Sequence, residues 1–239
     1  TTLFRSGFVL TCQMKPTSDC VLRIASSSEA AKTGVAVYEG ELVELAQLSE
    51  STIAFGIKTP APEELVFLPG QYVNVSLPGT EETRSYSFSS PPMADIARFV
   101  VRNVPGGKMS SHLSSVAKVG DKMQFAGPYG SFYLRPVIRP ALFLAGGTGI
   151  APFASLIREP ESYERFEQVI LTQTCRQVAE LDYGHDLLRQ IAGDEILSEM
   201  VGDKLRLIAT TTREDSPAMG RMTDWIRDGR LAEATGAPL

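Results

Sequence analysis

Only three cysteines, two histidines and one tryptophan occur among the 239 residues. Cys12, Cys20 and Cys175 are too few and too widely spaced for a disulfide framework or, alone, a zinc site. His112 and His185 share no ligand spacing. No Gly-x-Ser-x-Gly elbow and no Cys–His pair points to hydrolysis. No apolar run approaches the length of a membrane span, and residues 1–30 lack the basic start and apolar core of a secretory signal. Lysine and arginine form no block, and a net charge of −5 argues against a nucleic-acid partner. What is present is 43% hydrophobic and 21% charged residues, the balance of a soluble globular protein with ample core. A reducing cytoplasm is the expected compartment.

Three regions follow along the chain. Residues 8–24 read as two short strands around a Pro16-Thr-Ser-Asp19 turn, followed by a small, serine-rich linker to about residue 32. From 33 to 136, six short apolar strands alternate with Gly, Pro and Ser turns: Val35–Leu48, Thr52–Lys58, Tyr72–Leu77, Ser85–Ser89, Phe99–Val104 and Lys122–Ala126. That spacing predicts a six-stranded antiparallel barrel, interrupted by a helix over Met109–Val116. Gly127–Phe132 reads as the turn leading out of it. From 137 to 239, strands at Ala141–Ala145, Val169–Thr174 and Leu205–Thr210 alternate with helices at Ala151–Ile157, Leu181–Ile191 and Thr223–Asp228. This is the pattern of a doubly wound parallel sheet, incomplete here. The absence of an initiator Met, an opening Thr1–Ser6 that resembles a translated sequencing adaptor, and an end at Gly236-Ala-Pro-Leu239 without a closing element predict a fragment truncated at both ends.

The run Leu142-Phe-Leu-Ala-Gly-Gly-Thr-Gly-Ile-Ala-Pro-Phe153 carries the most chemistry. A buried strand leads into Gly146, Gly147, Thr148 and Gly149, where the backbone can turn and approach a ligand closely. Pro152 suits the first turn of a following helix. Strand, glycine turn and helix start together make an anion site fit for a pyrophosphate. A plain glycine-rich β–α turn is the competing reading.

Three further motifs stand upstream: Arg84-Ser-Tyr-Ser-Phe-Ser-Ser-Pro91, Arg102-Asn-Val-Pro-Gly-Gly-Lys-Met-Ser-Ser111 and Gly127-Pro-Tyr-Gly-Ser-Phe132. Their order, closed by Gly146–Pro152, resembles the ferredoxin–NADP reductase superfamily over roughly residues 35–235. The resemblance implies FAD in the barrel, with Tyr86 stacked on the isoalloxazine and Ser87 near its N5 as the catalytic pair. Arg84 would pair with flavin phosphate, Ser85 belongs to the same motif, and Arg102 would lie near the phosphates. Gly106, Gly107, Met109 and Ser110 would offer backbone donors to the pyrophosphate, with Ser110 starting a helix. Lys108 reads as a solvated charge.

An NAD-preferring site generally carries an acid at the end of the second strand of such a sheet. This chain has Thr174-Cys-Arg176 there, with Thr212-Arg213 and Gly220-Arg221 further on. These segments resemble the bacterial NADPH-dependent ferredoxin (flavodoxin) reductases, which implies that Arg176, Thr212, Arg213 and Arg221 carry a 2′-phosphate. NADPH is therefore expected, with Glu180 and Asp182 close enough in sequence to keep NADH open.

Leu10-Thr-Cys-Gln13 with its following turn resembles the end of a plant-type [2Fe–2S] ferredoxin, in which Cys12 would be the remote fourth ligand. A small buried hydrophobe is the alternative for that cysteine. The parent expected on this resemblance is a ferredoxin-fused reductase. It would pass electrons from NAD(P)H through FAD to a [2Fe–2S] centre and on to a terminal oxygenase. A free-standing reductase serving a ferredoxin or flavodoxin, and a non-catalytic fragment, are the alternatives.

Overall fold

The computed structural model describes residue 18 and residues 34–61, 64–134 and 140–236. Cys12, Cys20 and the expected ferredoxin remnant lie outside the described residues.

Six antiparallel strands come first: β1 (Ala36–Ser49), β2 (Thr52–Lys58), β3 (Tyr72–Ser76), β4 (Thr83–Ser87), β5 (Ile96–Arg102) and β6 (Lys122–Tyr129). Their order is β4-β3-β6-β1-β2-β5. The sheet curls because β1, the longest strand, carries register shifts between Leu42 and Glu44 and between Gln47 and Ser49. Such irregularities bend a strand and deepen its twist. The two ends of the order then approach: the Ser89 N–H, just past β4, donates to the Arg98 carbonyl of β5 at 2.8 Å. Inside, the alternating apolar residues of all strands converge on Phe55, Phe88, Phe99 and Phe125, each at most 1% exposed. Burying each such ring stabilises the fold by about 1.5–3 kcal/mol. Helix α1 (Lys108–Ser115) closes one end through Met109 and Leu113.

Two expectations shift here. The fifth strand begins at Ile96 rather than Phe99, and Gly127–Tyr129 continue β6 rather than forming a turn. The Gly127–Pro128 peptide is cis, and Tyr72 pairs with Tyr129 in register.

Beyond residue 140 a second sheet of three parallel strands follows: β7 (Ala141–Gly146), β8 (Val169–Cys175) and β9 (Leu205–Thr211), in that order. This sequential order is one half of a doubly wound sheet. The crossovers are α2 (Ala151–Leu156) with α3 (Glu161–Arg165), and α4 (Asp182–Ala192) with α5 (Glu195–Val201). Helices α6 (Met222–Arg227) and α7 (Arg230–Thr235) follow β9. Ile150, Ala154, Ile157, Tyr163, Leu187 and Ile191 pack on Val169 and Leu171 as a second core. A 3-10 turn over Gly147–Ile150 separates β7 from α2, so the glycine run does not lead straight into an α-helix.

Arg158 ties the two sheets together. Its guanidinium donates to the Ser89 carbonyl at 2.8 Å and to Gln190 Oε1 at 2.6 Å. Phe132 sets its edge against Phe153, with ring centroids 5.5 Å apart.

Candidate functional site

Two cavities lie along the seam between the sheets. The first, of about 500 Å³, is lined by Arg84, Ser85, Tyr86 and Ser87 of β4, the end of β5 at Arg102, the start of α1, and Thr148, Gly149 and Pro152 of the glycine loop. The second, of about 630 Å³, is lined by Gly146, Gly147 and Thr148, and by Arg176, Thr212, Arg213 and Arg221. Arg102 and Thr148 border both. Residues predicted from six separate stretches of sequence are thus gathered into two adjoining hollows. Gly106 is the exception among them: it lines neither cavity, and its φ of +72° makes it the left-handed turn residue ahead of α1.

In the first cavity the half-buried Tyr86 rests its ring edge on Phe55, centroids 5.9 Å apart. Burial raises the phenol's pKa, with the Arg84 charge opposing. Arg84 and Lys108 share one counterion. Glu82 Oε2 lies 3.2 Å from the Arg84 guanidinium, and Glu82 Oε1 pairs with the Lys108 ammonium. The hydrogen bond from Lys108 holds the Glu82 carboxyl below its ordinary pKa, against slight desolvation and with help from Arg84. Lys108 is an exposed charge, as expected, but it is also the first residue of α1, pairs with Glu82 and borders the cavity. A cation at the positive end of a helix is unfavourable unless an anion is near. That was the available signal in Gly-Gly-Lys-Met.

Two of the serine hydroxyls, those of Ser85 and Ser110, are committed elsewhere. Ser85 Oγ donates to Asn74 Oδ1 at 2.7 Å. Ser110 Oγ donates to the Val104 carbonyl at 2.9 Å and accepts from the Val104 N–H at 3.1 Å, bracing the 104–107 loop. Ser110 is the third residue of α1 rather than its start. What the helix offers to the cavity is its early backbone N–H groups, which have no partner within the helix.

The second cavity presents three arginines besides the shared Arg102. Backbone bonds bring two of them together: the Arg213 N–H and the Glu214 N–H both donate to the Arg176 carbonyl at 3.1 Å. Arg221 stands at the N-cap position of α6. Among the described residues no carboxylate forms an ion pair with any of the three guanidiniums. The nearby acids are turned to the backbone instead. Glu180 Oε2 accepts from the Arg176 N–H at 2.7 Å and the Gln177 N–H at 2.9 Å, and Glu214 Oε2 from the Val178 N–H at 2.8 Å. Asp182 does not line the cavity. The Thr212 hydroxyl donates to the Cys175 carbonyl at 3.1 Å and acts as a brace. Burial, followed by the Glu180 charge, pushes the Cys175 thiol up to about 12, which leaves it unreactive.

The glycine loop supplies a test of fit. Gly146 has an ordinary extended backbone (φ −112°, ψ 118°), and a Cβ there would meet nothing within 4 Å. Gly149 likewise has open space and no positive φ. Neither turn geometry nor packing requires glycine at these two positions. The missing side chains leave open space against the backbone, room in which a ligand fits.

A family model described as "Oxidoreductase FAD-binding domain" matches residues 39–133. The chain is 52% identical over 153 residues to the toluate 1,2-dioxygenase electron transfer component of Pseudomonas putida, covering 64% of this chain and 46% of that protein. It is 39% identical over 192 residues to a flavodoxin/ferredoxin–NADP reductase of Rhodobacter capsulatus, covering 77% of this chain and 71% of the relative. A ferredoxin–NADP+ reductase from Neisseria gonorrhoeae, solved with bound FAD and NADP, shares the fold at a TM-score of 0.71 and 21% identity, covering 85% of this chain and 80% of that one. The chain thus spans less than half the length of the dioxygenase component. Among the described residues no helix is long and apolar enough to cross a membrane, and no group of three or more His, Cys, Asp or Glu side chains stands close enough to hold a metal ion.

Proposed function

Because the chain belongs to the ferredoxin–NADP reductase superfamily of FAD-binding oxidoreductases, we propose that it carries electrons from NADPH, through FAD, to a one-electron acceptor in the cytoplasm. The adjacency of the two cavities carries this reading. One has an aromatic ring and two cations for a flavin and its diphosphate; the other has three arginines for a 2′-phosphate; and they meet at Arg102 and Thr148.

The flavin, when bound, supplies the redox chemistry. The chain's residues bind and orient. Tyr86 gives a flat face at the edge of the barrel core, and Ser87 a hydroxyl beside it for the reactive edge of the ring. Arg84, Lys108 and the early N–H groups of α1 hold the diphosphate, since guanidinium and helix N-terminus both suit phosphate oxygens. Gly146 to Gly149 let the second nucleotide lie against the backbone. Arg176, Arg213 and Arg221 hold its 2′-phosphate. The acids that would favour NADH are occupied: Glu180 and Glu214 accept from backbone N–H groups.

The likeness to a dioxygenase electron transfer component supports a terminal oxygenase as partner, and the resemblance of Leu10–Gln13 to the end of a plant-type ferredoxin is what speaks for a [2Fe–2S] centre with Cys12 among its ligands. The broad match to the Rhodobacter reductase and the arginine cluster favour a second reading, a reductase whose acceptor is a separate ferredoxin or flavodoxin.

The test is a visible spectrum of the purified chain with added FAD, recorded anaerobically before and after NADPH or NADH. Bound flavin that bleaches faster with NADPH is the expected result. A folded chain that binds no flavin overturns the reading and leaves a non-catalytic fragment.

A further inference from the structure

The Glu180 carboxylate lines the proposed 2′-phosphate site, and its hydrogen bonds go to protein groups around that cavity. Oε2 accepts from the Arg176 N–H (2.7 Å) and the Gln177 N–H (2.9 Å). Oε1 accepts from the Ser51 hydroxyl, which belongs to the β1–β2 turn of the other sheet. That turn is itself pinned: the Ser51 carbonyl accepts from the Asn103 N–H at 2.8 Å, and Asn103 follows Arg102, the residue bordering both cavities. On the other side, the Arg176 carbonyl accepts from the backbone of Arg213 and Glu214. One carboxylate therefore links the flavin-side sheet to both arginine loops. Its burial would raise the carboxyl's pKa, but the Ser51 hydroxyl, the Gln177 and Arg176 N–H groups and the Arg176 charge outweigh this and hold it low, so it stays ionised.

We propose that Glu180 is a positioning residue for the 2′-phosphate: steadied by Ser51, it fixes the backbone from which Arg176 projects and so sets the preference for NADPH over NADH. The proposal rests on the NADPH reading above.

Its two electrostatic consequences have opposite signs, which makes it testable. A carboxylate beside arginines repels a phosphate, so removing its charge alone strengthens binding. Removing its anchoring bonds loosens the loop and weakens binding. The measurement is fluorescence of the sole tryptophan, Trp225, which lies one residue from the cavity-lining Ile226, titrated with 2′,5′-ADP and with 5′-AMP. Glu180→Ala, which loses charge and anchor, is expected to weaken 2′,5′-ADP about five- to tenfold and leave 5′-AMP within about twofold. Glu180→Gln keeps an acceptor for the backbone and offers its amide to Ser51 Oγ, so it restores 2′,5′-ADP binding to wild-type strength or better. Ser51→Ala weakens 2′,5′-ADP in the same direction as Glu180→Ala but less. Alanine and glutamine variants that tighten 2′,5′-ADP alike would show a mere neighbouring charge and overturn the positioning role. A wild-type chain with no preference for 2′,5′-ADP over 5′-AMP overturns the NADPH reading itself, and this proposal with it.

Discussion

The two cavities share a border but treat their cations in opposite ways. On the barrel side Arg84 and Lys108 are both engaged by Glu82, so an incoming diphosphate must displace an internal anion. On the α/β side Arg176, Arg213 and Arg221 keep no ion-paired carboxylate among the described residues, because Glu180 and Glu214 bond to backbone N–H groups. The same residue types, acids and arginines lining or flanking one cavity, thus give an exchange site in one place and an open site in the other. What decides between them is whether the acid pairs with a cationic side chain or bonds to uncharged peptide and hydroxyl groups. Exposed ion pairs contribute little to stability, so Glu82 is better understood through what it withholds from a ligand than through what it adds to the fold.

The largest expected effect separates the two sites outright. Arg84→Ala removes a charge-assisted contact to diphosphate and is expected to weaken FAD binding about 10- to 100-fold. 2′,5′-ADP binding should stay unchanged. Flavin fluorescence quenching and the nucleotide titration measure the two on the same sample; a loss in both would mean that the cavities are not independent. Next comes the glycine loop. Gly146→Val fills space that the protein leaves empty at a residue with strand geometry. Its melting temperature should hold or rise, because valine favours extended backbone, while nucleotide binding falls at least about tenfold as the Cβ branch occupies the ligand's place. A drop in melting temperature with nucleotide binding intact would return this loop to an ordinary β–α turn. Arg213→Ala ranks third: about tenfold weaker 2′,5′-ADP, unchanged 5′-AMP and unchanged FAD, read by calorimetry.

Much of this comparison was legible in the sequence, and the part that was not has a common cause. The barrel strands were readable because apolar alternation and turn residues are local signals; Thr52–Lys58 matched to the residue. The fifth strand was read late because Arg98 interrupts its apolar run, and only the structure shows why an arginine sits there: it forms two 2.8 Å bonds to Glu44 on β1, across the neighbouring β2. Short helices escaped for lack of periodicity. Glu161–Arg165 is charged at three of its five positions and is tied down from outside, the Tyr163 hydroxyl donating to the Ile157 carbonyl at 2.6 Å and the Lys204 ammonium to the Tyr163 carbonyl at 2.8 Å. The site residues with backbone or ring roles were visible as motifs. Of the acids beside each site, Glu82 was not, and Glu180 was visible only as a nearby acid whose partners were hidden. Glu82 reaches Lys108 across 26 residues, and Glu180 reaches Ser51 across 129, and nothing in local pattern records such pairings. The hydroxyls of Ser85 and Thr212 show the converse: a hydroxyl in a motif gives no sign that the fold has already given it a partner.

The smallest effect bears most directly on the exchange idea. If FAD must displace Glu82, then Glu82→Gln, which keeps the shape and removes the charge, should tighten FAD about two- to tenfold, the scale of two exposed ion pairs. It should leave 2′,5′-ADP untouched. The pH dependence follows with a definite sign. In the free protein the two cations hold the Glu82 carboxyl below its ordinary pKa; with diphosphate in its place the carboxyl loses those partners and its pKa rises. Binding therefore takes up protons, so wild-type FAD affinity should strengthen as pH falls from the ordinary carboxylate range toward the depressed value. The fold runs the other way: a carboxyl depressed in the native state contributes stability above its unfolded pKa and loses it as pH falls through the folded one. Opposed slopes for FAD affinity and melting temperature in that acid window, both flattened in Glu82→Gln, are the signature of an internal anion that gives way to the cofactor. Parallel slopes, or a variant with unchanged FAD affinity, would mean that Arg84 and Lys108 are as open to a ligand as the arginines across the seam.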